Sequence, residues 1–214
     1  MKKKTVTVPS HTKEPTTHPD LFRLVDEQGN WSHYFHRPTG RFLPAVNHII
    51  SNGYNKGKRF QEWLLSVNKE DAKKALETAG ERGTRVHAAI RDLIDGVEVS
   101  LQTKYPSERQ SGRMEPLTFE EWALVRCFVR WQEHRKSKVN AQEIAVFSLE
   151  FGYAGTIDFL GSVEEDGQAM PTVLIDWKTS GKIWNEYALQ VAAYWSALWE
   201  MKDQKFLIRP EATR

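Results

Sequence analysis

The chain has 214 residues, 40% apolar and 11% aromatic with eight Trp, which is enough to build a sizeable core and excludes disorder over most of its length. Thirty Lys and Arg oppose 28 Asp and Glu, and a formal charge of +2 neither demands nor excludes a nucleic-acid partner. The single cysteine, Cys127, excludes an internal disulfide framework and a four-thiolate zinc or iron–sulfur site.

Residues 1–20 are rich in Lys, Thr, Pro and His and read as a mobile tail, with a DNA-touching arm as the alternative. The lysines near Met1 have no apolar run behind them, and no later stretch is long and apolar enough to span a bilayer. A reducing, cytoplasmic setting without a membrane partner is therefore expected. Residues 21–41 are irregular, with turn signals at 26–30 and 38–40, and fit a short hairpin. A short helix is expected over 43–51 after Pro44, and a second near 59–67.

The first strong periodicity spans 71–95. Ala72, Ala75, Leu76, Ala79, Gly83, Val86, Ile90 and Leu93 recur at three- and four-residue steps, and Gly96 ends the run. Residues 97–117 read as a loop. Thr118 and Glu121 form a capping box that opens a helix reaching about residue 136. The period then changes. Residues 144–151, 153–161 and 172–177 are short and rich in β-branched and aromatic side chains, with a turn at 164–168. Helical spacing returns over 186–201, with Tyr187, Val191, Tyr194 and Leu198 on one face, leaving room for one further strand at 205–209. The order implies an α/β (α+β) arrangement. One domain is expected over 21–214, with a helical part at 43–136 and a sheet with its helix at 143–209.

The chemistry concentrates in one stretch: Gly155-Thr156-Ile157-Asp158, then Asp176-Trp177-Lys178, then Gln190 and Tyr194. In a strand, residues i and i+2 share a face, so Asp176 and Lys178 project together with Trp177 opposite. If the strand carrying Asp158 pairs with this one across the turn, the two carboxylates converge. Two hard oxygen donors suit Mg²⁺ or Mn²⁺, the ions that neutralise charge on a reacting phosphate, with Lys178 beside them to hold a water or the phosphate. Each piece has a bland alternative. A D-x-K triplet alone is usually an exposed strand ion pair, and Gln190 and Tyr194 can simply border an apolar helix face. The joint order is what carries the reading.

These motifs resemble the PD-(D/E)xK nuclease superfamily, a restriction-endonuclease-like fold with a central mixed sheet flanked by helices. The likeness is closest to its RecB-like exonuclease branch, including the mitochondrial genome-maintenance exonuclease and phage relatives. A helix with G-x-x-x-H (Gly83, His87), strands with G-x-x-D and D-x-K, and a helix with Q-x-x-x-Y carry it. The resemblance implies that His87, Asp158, Asp176 and the Trp177 backbone carbonyl bind the metal. It implies that Lys178 is the catalytic lysine, and that Gln190 and Tyr194 brace Lys178 or a phosphate. Thr179, next to Lys178, joins them as a substrate contact. Read from the residues alone, His87 is more often a packed histidine at the margin of an apolar stripe. As a ligand it would favour Mn²⁺ somewhat over Mg²⁺. Glu150 and Glu143 are candidates for support of Asp158 or of a second metal, although an exposed strand carboxylate is the commoner reading of Glu150. The iron–sulfur branches of the superfamily are excluded by the single cysteine.

The resemblance also implies a DNA partner, single-stranded and cut from an end. Arg82, Thr84 and Arg85 flank Gly83 and are expected at the phosphates, because small residues let a backbone approach. Arg126, Arg130, Arg135, Lys136 and Lys138 form a second basic run. Lys56, Lys58 and Arg59, beside Phe60 and Trp63, form a third. Solvated helix faces explain such runs equally well. The oligomeric state is not legible.

Overall fold

The computed structural model describes residues 12–26, 31–54, 57–106 and 113–202, apart from the side chains of Lys58 and Arg59. The expected strand at 205–209, most of the turn at 26–30, Lys56 and the first part of the tail lie outside the described residues. The chain opens with β1 (Thr12–Pro15), β2 (Leu21–Val25), β3 (Trp31–His36) and β4 (Arg41–Pro44), an antiparallel meander in that order. Residues 12–20, expected in a mobile tail, instead contribute β1 and the buried His18. The expected hairpin is the middle of this larger sheet. Alternation explains it: Leu21, Tyr34 and Leu43 are wholly buried on one face, a pattern too short in each strand to stand out.

Helices α1 (Val46–Gly53) and α2 (Gly57–Ser66) follow where expected. Helix α3 (Lys69–Ile94) starts at Asn68, whose side chain accepts from the Asp71 amide. It stops before Gly96, whose φ of +77° an L-residue rarely adopts. The expected loop over 97–117 contains a small hairpin, β5 (Lys104–Pro106) with β6 (Met114–Pro116). Helix α4 (Phe119–Arg135) begins with the full capping box of Thr118 and Glu121.

The central sheet is the meander β7 (Lys138–Ser148), β8 (Tyr153–Glu165) and β9 (Gln168–Ile175). Its strand pairs are antiparallel, and the parallel element among the described residues is an isolated bridge between Ala45 and Ala154. The β8–β9 turn places Asp166 and Gly167 at φ of +49° and +77°, the backbone of a two-residue hairpin loop. Helix α5 (Asn185–Glu200) closes the described chain. Among the described residues no helix is long and apolar enough to cross a membrane.

Two cores position the site. One joins Leu21, Tyr34 and Leu43 of the N-terminal sheet with Val146, Ile157 and Tyr194 of β7, β8 and α5. The other joins Val86 and Ile90 of α3 with Val125 and Phe128 of α4, and Trp177 packs against it. Trp177 also meets Phe128, Trp131 and Phe159 at ring-centroid distances of 5.2, 5.2 and 5.7 Å. This anchor fixes the backbone between Asp176 and Lys178.

Candidate active site

Asp158 stands on β8, and Asp176 follows directly on the last residue of β9. Phe159 is paired with Ile175, so the antiparallel register brings Asp158 opposite Asp176. Asp158 Oδ2 accepts from the Trp177 backbone N–H at 2.7 Å and lies 3.5 Å from His87 Nδ1. His87 reaches in from α3, and its Nε2–H donates to the Trp177 carbonyl at 3.0 Å. Burial works against an imidazolium here, but contact with Asp158 and the charge of Asp176 outweigh it and hold His87 above its ordinary pKa.

Lys178 lies against Asp176 Oδ2 and donates to Gln190 Oε1 at 2.8 Å. The Gln190 amide donates to Asp176 Oδ1 at 2.9 Å and to the Tyr194 hydroxyl at 2.9 Å. One helix glutamine thus ties the carboxylate, the ammonium and the tyrosine together. Tyr194 can come this close because Gly155 has no side chain; a Cβ there would lie 2.2 Å from the tyrosine ring. Tyr187, one turn before Gln190, lies under the ammonium with its ring centroid 4.8 Å from Lys178 Nζ. Sequence reasoning missed that last contact; the only signal was its three-residue step to Gln190.

Asp176 is the most shielded charged group of this cluster, with 5% of its side chain exposed. Burial, then the charge of Asp158, push its pKa up despite Lys178. Its Oδ2 receives no well-directed hydrogen bond, only the ammonium lying against it. Among the described residues no three His, Cys, Asp or Glu side chains stand ready around one point. The donors are instead tied to one another: the imidazole to the carbonyl, the carboxylate to the lysine. The donor chemistry nevertheless fits a small divalent cation. Two repelling carboxylates are short of positive charge, and the 3.0 Å between His87 Nε2 and the Trp177 carbonyl is about the separation of neighbouring ligands on bonds of ~2.1 Å.

Other expected residues sit elsewhere. Arg85 is not a free phosphate contact: it donates from Nε and Nη2 to the buried Glu121 at 2.9 and 2.6 Å and pairs with Glu115 at 3.5 Å. The Glu121 carboxylate that caps α4 draws the arginine inward. Glu150 is exposed in the β7–β8 turn, with its backbone amide bound to Glu200, and does not face Asp158. Glu143 does, since Gln142 and Ile144 pair with Phe159 and Ile157. Burial and the Asp158 charge raise the Glu143 pKa. Glu143 has a φ of +51°, and Thr17 braces this kink by donating to its carbonyl at 3.0 Å and accepting from Ala145 at 2.7 Å. Thr179 packs over Gly83, with its hydroxyl 3.7 Å from where a Cβ would stand. Thr84 is exposed and bonded to the Gly80 carbonyl, and Arg82 lies 3.8 Å from Glu120. Arg135 is paired with Glu165 and Lys136 with Glu164, so the second basic run is partly neutralised.

Paired carboxylates beside a lysine on adjoining strands, with a histidine and a carbonyl close by, form a donor set of the metal-dependent phosphodiester-cleaving class. The chain matches the model of the PD-(D/E)XK nuclease superfamily over residues 60–211, and it belongs to that superfamily. Its members are generally nucleases that act on nucleic acid with a divalent cation such as Mg²⁺. The sheet β1–β4 and helix α1 precede the matched region. No curated protein and no solved structure matches the chain.

Proposed function

We propose that this protein is a divalent-metal-dependent DNA exonuclease of the RecB-like branch, which degrades single strands from an end during replication, recombination or repair. The observation that carries the reading is the closed relay Lys178–Gln190–Asp176, with Asp158 across the strand pair. Asp158, Asp176, the Trp177 carbonyl and His87 would hold the cation, Mg²⁺ or Mn²⁺. The bound ion supplies positive charge to the phosphate oxygens and acidifies a water. Gln190 orients both Lys178 and Asp176, so the ammonium is fixed beside the carboxylate instead of sampling solvent. Lys178 then holds the attacking water or stabilises charge on the phosphate. The Trp177 anchor keeps the backbone rigid between the two, which preserves their geometry through turnover. Tyr194 and Thr179 are positioned to brace the relay and the substrate side of α3.

The preference for single strands rests on the way a single phosphate must be brought to a strand rim. The need for an end follows from the motif resemblance. End-labelled linear single strands and covalently closed circles of the same sequence, each with Mg²⁺ and with Mn²⁺, test both. Linear DNA should be lost and circles should persist. Equal loss of circles would make the protein an endonuclease. Absence of cleavage of any substrate, with binding retained, would make it a DNA-binding module.

A further inference from the structure

We infer that the open pocket between the N-terminal sheet and α1 is a nucleobase subsite. It would hold a base of the single strand next to the nucleotide being cut, and it rests on the single-strand reading above. The pocket has a volume of about 350 Å³ and is lined by Trp31, Ala45, Asn47, His48 and Ser51. Small-molecule sites start at roughly 300 Å³, so one base with part of its sugar is the natural size of occupant.

The lining has the chemistry a base requires, a flat apolar face and a mixed polar edge. Trp31 is half-buried and held in place. Tyr34 meets it edge-on at 5.2 Å between centroids, and the Arg23 guanidinium lies 5.0 Å from the indole centroid. Asn47 and Ser51 are one helical turn apart on α1 and so face the same way. The Asn47 amide both donates and accepts, as base edges do. The Ser51 hydroxyl donates to the His48 carbonyl at 3.0 Å and accepts from the Asn52 amide at 3.5 Å, which leaves one lone pair for a base N–H.

Position connects the pocket with cleavage. Arg23 Nη2 donates to Thr156 Oγ1 at 3.1 Å, and the Tyr34 hydroxyl shares the same threonine at 3.0 Å. Thr156 precedes Asp158 by two residues on one face of β8, about 7 Å along the strand. The pocket wall and the candidate metal carboxylate are thus joined by Trp31, Arg23 and Thr156. Arg23 stands between them as a cation for the intervening phosphate. Glu143 lies at 4.0 Å, beyond hydrogen-bonding distance, and does not saturate it; Arg23 Nε is buried without a hydrogen bond among the described residues. All the pocket residues precede the stretch matched to the superfamily, so the subsite would be a specificity device of this chain's N-terminal sheet.

The test is binding of a fluorescent single-stranded oligonucleotide to the full chain carrying Asp176→Asn, with each base in turn replaced by an abasic site. One abasic position should weaken binding about tenfold, the usual worth of one stacked base. Adding Trp31→Ala should weaken the intact strand by a similar factor and abolish the penalty at that position only. Because Trp31 also touches the core, the exposed Asn47→Ala serves as a second variant, and it should flatten the preference among base identities at the same position. An abasic penalty unchanged by Trp31→Ala, with a base preference unchanged by Asn47→Ala, would overturn the subsite while leaving the single-strand reading intact. Failure of the Asp176→Asn chain to bind any single strand would overturn both.

Discussion

Lys178 is held by Gln190, Asp176 and the ring of Tyr187, with 23% of its side chain exposed. A lysine confined this way is suited to chemistry at one point more than to a loose grip on DNA. Lys178→Ala should lower turnover roughly 100-fold or more, the loss usual for a positioned catalytic group. The metal concentration for half-maximal rate should not rise, because Asp176 loses a competing cation. Lys178→Arg should not rescue, since a planar fork cannot occupy the place of a compact ammonium. A change confined to substrate affinity would reassign Lys178 as a phosphate clamp. Asp176 makes a second case. Its pKa is raised in the folded protein, from 3.8, by burial and by Asp158. A raised carboxyl binds its proton more tightly when folded, so metal-free stability falls as pH rises from the ordinary aspartate range through the raised value. The raised imidazole of His87 acts in the same direction. Asp176→Asn should abolish cleavage, raise the metal-free melting temperature at neutral pH and flatten its pH dependence. Added Mg²⁺ should stabilise the wild type but not the variant. A metal-free melting temperature that climbs from pH 5 to 8 in the wild type would contradict this account.

At the scale of elements, periodicity made the long pieces legible. Helices α3, α4 and α5 and the strands β7 to β9 each carry several turns or alternations of apolar residues, so their type was readable and their ends were off by a few residues. Of the short strands β1 to β4 only a hairpin within 21–41 was legible, because four to six residues give only two or three inward positions each. The G-x-x-D, D-x-K and Q-x-x-x-Y residues do come together, because spacing within a strand or helix fixes which side chains share a face. Arg85, expected at the phosphates, is instead drawn into a buried pair with Glu121, because charge in a sequence carries no information about burial. Arg85 tests that lesson. Its side chain is 11% exposed and Glu121 is 1% exposed, and the same carboxylate accepts from the Thr118 amide at 2.8 Å. Removing one member of such a pair strands the other, so Arg85→Ala and Glu121→Ala should each cost about 3 kcal/mol or more. Thr118→Ala, which loses only the cap, should cost about 1 kcal/mol. The double variant Arg85→Ala/Glu121→Ala should fall short of the sum in a denaturant titration. The salt dependence of DNA binding should be unchanged in Arg85→Ala; a shallower slope would restore it as a phosphate contact.

The whole chain raises the question of where the nuclease unit begins. The superfamily match starts at residue 60, which would make the N-terminal sheet an appendage. The packing argues otherwise. Leu21, Tyr34, Leu43, Ala45 and Val46 are buried in one core with Val146, Ala154, Ile157 and Tyr194, and Thr17 and Arg23 reach β7 and β8. Burying a large side chain is worth roughly 1.5–3 kcal/mol, so stripping the sheet would uncover apolar surface comparable in worth to a domain's entire net stability. A chain starting at residue 46 should therefore lose cooperative unfolding and expose surface that binds a hydrophobic dye. The same truncation would release the Glu143 kink that Thr17 braces, so the strand opposite Asp158 should loosen even where some fold survives. In the intact protein, Trp fluorescence, which reports on Trp31 in the N-terminal sheet as well as on Trp131 and Trp177 in the other core, should change in a single denaturant transition coincident with circular dichroism. Two separated transitions, or a truncated chain that melts sharply and still cleaves DNA, would show that the sheet and the nuclease core are independent units.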